Sequence, residues 1–111
     1  MAYDVALAER IARLFERRRG VTQKQMFGGV CFLVNGKMCC GVIGKKLVAR
    51  VGPERYESAL TRPHAKPMDF TGRPLRGFIY VLPQGIQSRP ALKGWVDLTL
   101  RYTASLPTKR T

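Results

Sequence analysis

The sequence has 111 residues, a length that suits one folded domain. Hydrophobic residues make up 45% of it, which is ordinary for a globular domain and argues against a disordered chain. Lys and Arg number 20 against seven Asp and Glu, and the resulting net charge of +13 attracts polyanions such as nucleic acids. The sequence shows neither an apolar run of membrane-spanning length nor a signal peptide, so we expect a cytoplasmic protein without a membrane partner.

The residues that carry metal and catalytic chemistry are few and scattered. Three cysteines and the single His64 do not form the two paired ligand clusters of a structural zinc site. We therefore expect no metal and no cofactor, and we expect reduced, partly buried thiols. Acid–base and nucleophilic catalysis need convergent groups, which this pattern does not bring together, so we do not expect an enzyme.

The first predicted element is a helix over residues 3–19, where apolar residues recur at spacings of three and four. Residues 17–19 are all arginine and complement the dipole of its last turn, and Gly20 follows as the predicted C-terminal cap. Capping and solvation explain these arginines without a ligand, and anion binding is the alternative. The candidate contacts on this helix are Arg10, Arg13 and Arg17.

A predicted strand over residues 24–34, with a bulge at Gly28-Gly29, is followed by Asn35-Gly36, a strong signal for a type I′ hairpin turn. Counting back from that turn sets Cys31 opposite Cys40 in a non-hydrogen-bonded pair with adjacent side chains. The two residues are therefore a candidate redox thiol pair. Packing of two small apolar residues is the alternative interpretation.

Both faces of this hairpin are predicted to be apolar, whereas an antiparallel sheet usually exposes one face to water. Either helices cover both faces, or one face contacts a protein partner, for which a second copy of this chain is our hypothesis. One predicted face carries Cys31, Leu33, Met38, Cys40 and Val42, and the other carries Val30, Phe32, Val34, Cys39 and Ile43.

The periodicity indicates an α+β fold, in which a three-stranded meander and a later hairpin form an antiparallel sheet with about three helices. The predicted order is α-β-β-β-α-β-β-α, in a single domain over residues 1–107 with a short basic tail at 108–111. After the first helix and strand, the predicted elements are strands at 38–43 and 46–51, a helix at 53–60, a loop at 62–67, a strand at 68–70, a turn at 71–74, a strand at 77–82 and a helix from Ser88 to about 106.

A glycine-flanked turn over residues 71–77 carries Arg73 and Arg76, whose guanidinium groups can contact phosphate or carboxylate. Solvation, or pairing with neighbouring acids, is the alternative. Arg50 on the meander extends this candidate basic surface. Phe78 and Tyr80 alternate with two aliphatic residues, so this pair is a candidate for base stacking, with burial in the core as the alternative.

Four segments resemble the TfoX/Sxy N-terminal domain family: Met26 to Gly29 (MFGG), Asn35 to Gly41 (NGKMCCG), Val51 to Glu57 (VGPERYE) and Met68 to Val81 (MDFTGRPLRGFIYV). The resemblance covers residues 11–106. It implies a compact α+β domain with no established catalytic residues. In longer members this domain precedes a C-terminal helical domain, and the whole protein regulates natural competence through transcription factors.

The chain ends soon after this region, so we expect a stand-alone domain. Its expected function is that of a non-catalytic interaction or regulatory module, with the link to transcription that the resemblance implies. A nucleic-acid-binding protein with an arginine-rich surface is the first alternative, and a thiol-redox protein is the second.

Overall fold

A computed structural model of the chain describes residues 3–26, 28–69, 72 and 74–106. Within them the chain forms one six-stranded antiparallel sheet and three α-helices, so the predicted α+β class is confirmed with one strand more than expected. The elements are α1 (Val5–Leu14), β1 (Val21–Met26), β2 (Gly29–Val34), β3 (Lys37–Ile43), β4 (Lys46–Arg50), α2 (Tyr56–Leu60), β5 (Ala65–Asp69), β6 (Pro74–Val81) and α3 (Arg89–Ser105).

The strands lie in the order β1-β2-β3-β4-β6-β5, so the first four form a meander and the last two add a hairpin through β6. All three helices pack against the same side of this sheet, which we call the helix-covered face. Ile11 of α1, Trp95 of α3 and Ala59 of α2 all belong to the core cluster on that side. Phe15 stacks on Phe32 there, with 5.7 Å between the ring centroids.

Local signals at several turns and helix ends are confirmed. Asn35 and Gly36 have φ angles of 53° and 80°, the left-handed values that a type I′ turn requires. The Ser88 side chain accepts a hydrogen bond from the Ala91 backbone N–H at 3.2 Å and caps α3 at its predicted start. Each of these features depends on a few neighbouring residues.

The predicted single strand over residues 24–34 is wrong, because the chain reverses there and forms β1 and β2. Gly28 has φ 76°, a conformation that a glycine adopts without strain, and it lies in the turn between the strands. Its neighbour Phe27 lies outside the described residues. The missed strand, β1, is an edge strand of mostly exposed polar residues, so it lacks the alternation that reveals a half-buried strand.

The predicted helix over residues 3–19 is too long, since α1 ends at Leu14. Phe15 turns into the core, and Gly20 does not cap the helix. The carbonyl oxygen of Gly20 instead accepts a hydrogen bond from the Asn35 backbone N–H at 2.8 Å, just before β1 begins. Pairing of β1 with β2 requires the chain to leave the helix early, and this tertiary demand overrides the helical pattern.

The predicted pairing of Cys31 with Cys40 is also wrong. A bulge between Phe32 and Leu33 in the β2–β3 register sets Cys31 opposite Gly41 and Phe32 opposite Cys40. One extra residue in β3 accounts for the shift, because it moves every later β3 side chain to the other face. Cys40 and Val42 therefore join the core cluster with Phe32, and Ile43 leaves it.

The second hairpin begins earlier than predicted on both strands. β5 starts at Ala65, inside the predicted loop, and β6 starts at Pro74. Phe70 of the predicted strand, Thr71 and Arg73 of the predicted turn, and the predicted tail at 108–111 lie outside the described residues. No helix in the described part of the chain is long and apolar enough to cross a membrane.

Candidate functional site

The side of the sheet opposite the helices, which we call the open face, is the candidate functional surface. Cross-strand partners share a face, so the register assigns its members. One row of partners crosses the sheet from β1 to β5 through Cys31, Val48 and Tyr80. The open face comprises Lys24, Cys31, Leu33, Met38, Ile43, Lys46, Val48, Arg50, Lys66, Phe78 and Tyr80.

The open face has a shallow buried layer although α1, α2 and α3 pack on the other side of the sheet. Cys31 is 3% exposed and Val48 is 1% exposed, yet neither belongs to the core cluster under the helices. Larger half-buried residues surround them, namely Leu33, Met38, Ile43, Phe78 and Tyr80. The apolar side chains of this face therefore cover one another.

Two cations lie over the two aromatic rings of the open face. The Lys46 Nζ atom is 4.5 Å from the centroid of the Tyr80 ring. The Arg50 guanidinium carbon lies 5.6 Å from the Phe78 centroid, within cation–π range. It also lies 5.4 Å from the ring centroid of Tyr102 on α3, so the Arg50 side chain lies at the end of β4, where the open face meets α3. Arg50 also donates a hydrogen bond to the Met38 carbonyl oxygen at 3.2 Å. Several contacts thus hold Arg50 in place, whereas the Lys46 side chain makes a single contact with the described residues, the one with the Tyr80 ring.

The charge on the open face is strongly unbalanced. Lys24, Lys46, Arg50 and Lys66 give it four cations. Of the seven acidic residues of the chain, six lie on helices or their flanking residues, and only Asp69 lies in the sheet. Burial, and then the charge of Asp69, raise the pKa of Tyr80 above its usual value. The face is therefore positive and aromatic.

The structure separates the arginines that the sequence suggested as one basic surface. Arg76 lies beside α2, 3.9 Å from a Glu57 carboxylate oxygen and over the Tyr56 ring. Arg10 contacts the loop before α3 instead, donating to the Ile86 carbonyl oxygen at 2.7 Å. The remaining predicted contacts also differ in position: Arg13 lies on α1, Arg17 lies in the exposed turn after α1, Arg50 is on the open face and Arg73 is outside the described residues.

The cysteines do not form the predicted pair. Cys39 and Cys40 both face the helices, with the Cys39 sulfur 3.1 Å from the Thr99 hydroxyl oxygen, whereas Cys31 faces the open side. A hydrogen bond from the Cys40 thiol lowers the pKa of Cys39 to about 7, and the same contact and burial raise the pKa of Cys40. Burial likewise raises the pKa of Cys31. All three thiols are buried, so Cys31 and Cys40 lack the geometry of an exposed redox pair.

Among the residues that the structure describes, no three His, Cys, Asp or Glu side chains come close enough to hold a metal ion. Two functional candidates were missed from the sequence. The sequence pattern predicts a loop at Lys66, but this residue lies on β5 opposite Tyr80. The sequence pattern predicts only that Arg89 lies at the start of the last helix, whereas the structure shows that it lines a cavity with Arg10 and Arg13. Neither position carries a local signal, because both depend on which elements pack together.

A comparison with family models matches residues 13–102 to the TfoX N-terminal domain. The match covers most of the chain, and the chain belongs to the TfoX N-terminal domain family. No curated protein and no solved structure matches it. The resemblance noted from the MFGG and NGKMCCG segments is thereby confirmed.

Proposed function

We propose that this chain is a non-catalytic interaction module that binds single-stranded nucleic acid on the open face of its sheet. One observation carries the proposal: Phe78 and Tyr80, two residues apart on β6, lie half-exposed on a positively charged face of the sheet, opposite the side on which α1, α2 and α3 pack. Successive bases stack on aromatic rings spaced in this way, and nearby cations contact the phosphates between them. A role in transcriptional regulation, which the family suggests, is compatible with such binding.

The energetics favour a nucleic acid as the occupant. Stacking on an aromatic side chain contributes about 1–3 kcal/mol per base, and it does not depend strongly on base identity. The phosphates would neutralise the four open-face cations and release counterions. Of the two cations over the rings, Lys46 can move to a phosphate, because its ring contact is the one side-chain interaction it makes with the described residues. Arg50 stays over Phe78, where a base can stack on its guanidinium plane or on the other face of the ring.

A second copy of this chain fits the same face less well. Two open faces packed together would set four cations against four like charges, which costs free energy without intervening anions. The exposed large hydrophobic residues in the described chain are Val5 and Leu75, and neither belongs to the open face. The half-buried apolar residues already cover one another, so dimerisation has little fully exposed apolar surface to bury.

Fluorescence anisotropy with a labelled oligo(dT) of about 15 nucleotides, at low and at physiological salt, tests the proposal. We expect binding at low salt that weakens steeply as salt rises. Phe78→Ala combined with Tyr80→Ala should weaken it by at least about tenfold, the equivalent of 1.4 kcal/mol. Phe78→Leu combined with Tyr80→Leu keeps apolar volume for folding but removes the rings, and it should show a similar loss.

The contribution of charge needs a matched control. Lys46→Gln with Lys66→Gln should reduce the slope of log affinity against log salt by about 1.4, because each phosphate contact on a single strand contributes about 0.7. Arg55→Gln with Arg101→Gln removes the same charge from the helix side and should leave the slope nearly unchanged. Equal losses in both variants, absence of binding at low salt, or sedimentation of a dimer that buries the open face would each contradict the proposal.

A further inference from the structure

A cavity of about 390 Å³ lies on the helix side of the molecule, between the second half of α1 and the start of α3. We call it the α1–α3 cavity. It is remote from the open face, because both helices pack on the opposite side of the sheet. Its lining consists of Arg10, Arg13, Leu14, Glu16, Arg89 and Leu92.

Arg10 is the fixed member of this cavity. Its Nη2 atom donates to the carbonyl oxygens of Ile86 at 2.7 Å and Gln87 at 3.1 Å, so the guanidinium joins α1 to the segment that leads into α3. This tether uses one of its nitrogens. Carbonyl oxygens carry no net charge, so the positive charge of Arg10 remains uncompensated at the edge of the cavity.

Arg13 and Arg89 bring two further positive charges to the same cavity, one from each helix. Both side chains are exposed. In the described part of the chain, Arg10, Arg13 and Arg89 form no ion pair within 4.0 Å. Glu16 supplies one negative charge against these three. Like charges brought together without a counterion raise the free energy of the folded chain, and an anion bound among them would lower it.

We propose that the α1–α3 cavity binds a small organic anion with a phosphate or carboxylate group, of about the size of a mononucleotide. Arginine guanidinium groups bind both anionic groups through paired hydrogen bonds, and here they approach from two helices. Leu14 and Leu92 add apolar surface for the uncharged part of the ligand. The volume lies in the range of small-molecule sites in proteins. Anion binding in this cavity does not require nucleic-acid binding on the open face.

Isothermal titration calorimetry with adenosine monophosphate, and with adenosine as its uncharged counterpart, tests this assignment. We expect the monophosphate to bind and adenosine to bind at least about tenfold more weakly, because adenosine cannot make the charge-assisted hydrogen bonds of the phosphate. Arg13→Gln combined with Arg89→Gln should weaken the monophosphate at least tenfold. Arg10 is left intact in this variant because it holds the loop before α3.

The control is Arg55→Gln with Arg101→Gln, which removes the same charge from residues outside the cavity and should leave monophosphate affinity within about twofold. Circular dichroism of each variant verifies folding. Equal weakening in the control, or equal affinity for adenosine and its monophosphate, overturns the proposal. A third outcome also overturns it: the native chain does not bind the monophosphate, and the Arg13/Arg89 variant loses oligo(dT) binding. The arginines would then bind the phosphates of a nucleic-acid backbone. If only the Phe78/Tyr80 variants lose oligo(dT) binding, the nucleic acid binds on the open face and the α1–α3 cavity is a separate site.

Discussion

The two faces of the sheet are built from alternating residues of the same strands, yet they differ in almost every physical property. On the helix-covered face Phe32, Leu47 and Ile79 have no exposed surface. On the open face their strand neighbours Leu33, Lys46 and Tyr80 are half-buried. The sequences of β2 and β3 are apolar on both faces, so the packing of the helices decides which face becomes the core.

The open face shows how an apolar strand surface can remain without a second layer of helices. Cys31 and Val48 are buried on this face among the half-buried side chains of adjacent strands, which include Leu33, Met38 and Tyr80. Lys46 and Arg50 lie over the Tyr80 and Phe78 rings. A face that is apolar at its base and cationic at its rim supports the proposal that it binds a polyanion.

The largest expected difference between the faces is in stability. Phe32→Ala should lower the free energy of unfolding by about 3–5 kcal/mol, because it leaves a cavity beneath Phe15 in the core. Phe78→Ala on the open face should cost only about 1 kcal/mol, because its ring is already partly hydrated. Urea unfolding followed by Trp95 fluorescence measures both values. Equal losses would show that the open face is as closely packed as the core.

The next largest expected difference is between a glycine in the sheet, Gly41 of β3, and a glycine in a helix, Gly94 of α3. A Cβ atom added at Gly41 would lie 2.6 Å from the Val30 carbonyl oxygen, so Gly41→Ala should destabilise the chain by about 1–3 kcal/mol. Gly94 is exposed within α3, where an added Cβ meets nothing within 4 Å. Gly94→Ala should therefore stabilise the chain by about 1 kcal/mol through helix propensity. Chemical denaturation measures the free energy of unfolding of both variants. An unchanged free energy in Gly41→Ala would disprove the close approach of β2 and β3.

The smallest expected effect is the pH response of Tyr80. Its pKa is raised in the folded state, so its stabilising contribution is complete below the unfolded pKa of about 10 and is lost as pH rises further. Asp69→Asn removes the second cause of the shift and should lower the pKa of Tyr80, while burial still holds it above the usual value. Ultraviolet titration of tyrosinate, with Tyr80→Phe to identify the signal, measures the change. An unchanged pKa would place Asp69 too far from the ring to act.

Local sequence was sufficient for the parts of this fold that depend on neighbouring residues. Asn35-Gly36 determined the hairpin turn, Ser88 determined the start of α3, and the four family segments identified the domain family. Part of the candidate surface could also be predicted from the sequence. The alternation of Phe78 and Tyr80 with aliphatic residues indicates that both rings lie on the same face of a strand. It could not indicate which face the helices would leave open.

Tertiary structure alone decided the remaining features. The extra residue in β3 moved Cys40 away from Cys31, the polar strand β1 became an edge, and α1 ended at Leu14 so that β1 could pair. Arg10 and Arg89 are far apart in sequence and line one cavity only because α1 packs against α3. The physical reason is the same throughout: turns and caps are stabilised within a few residues, whereas strand register, the choice of buried face and the convergence of charges depend on contacts between distant segments.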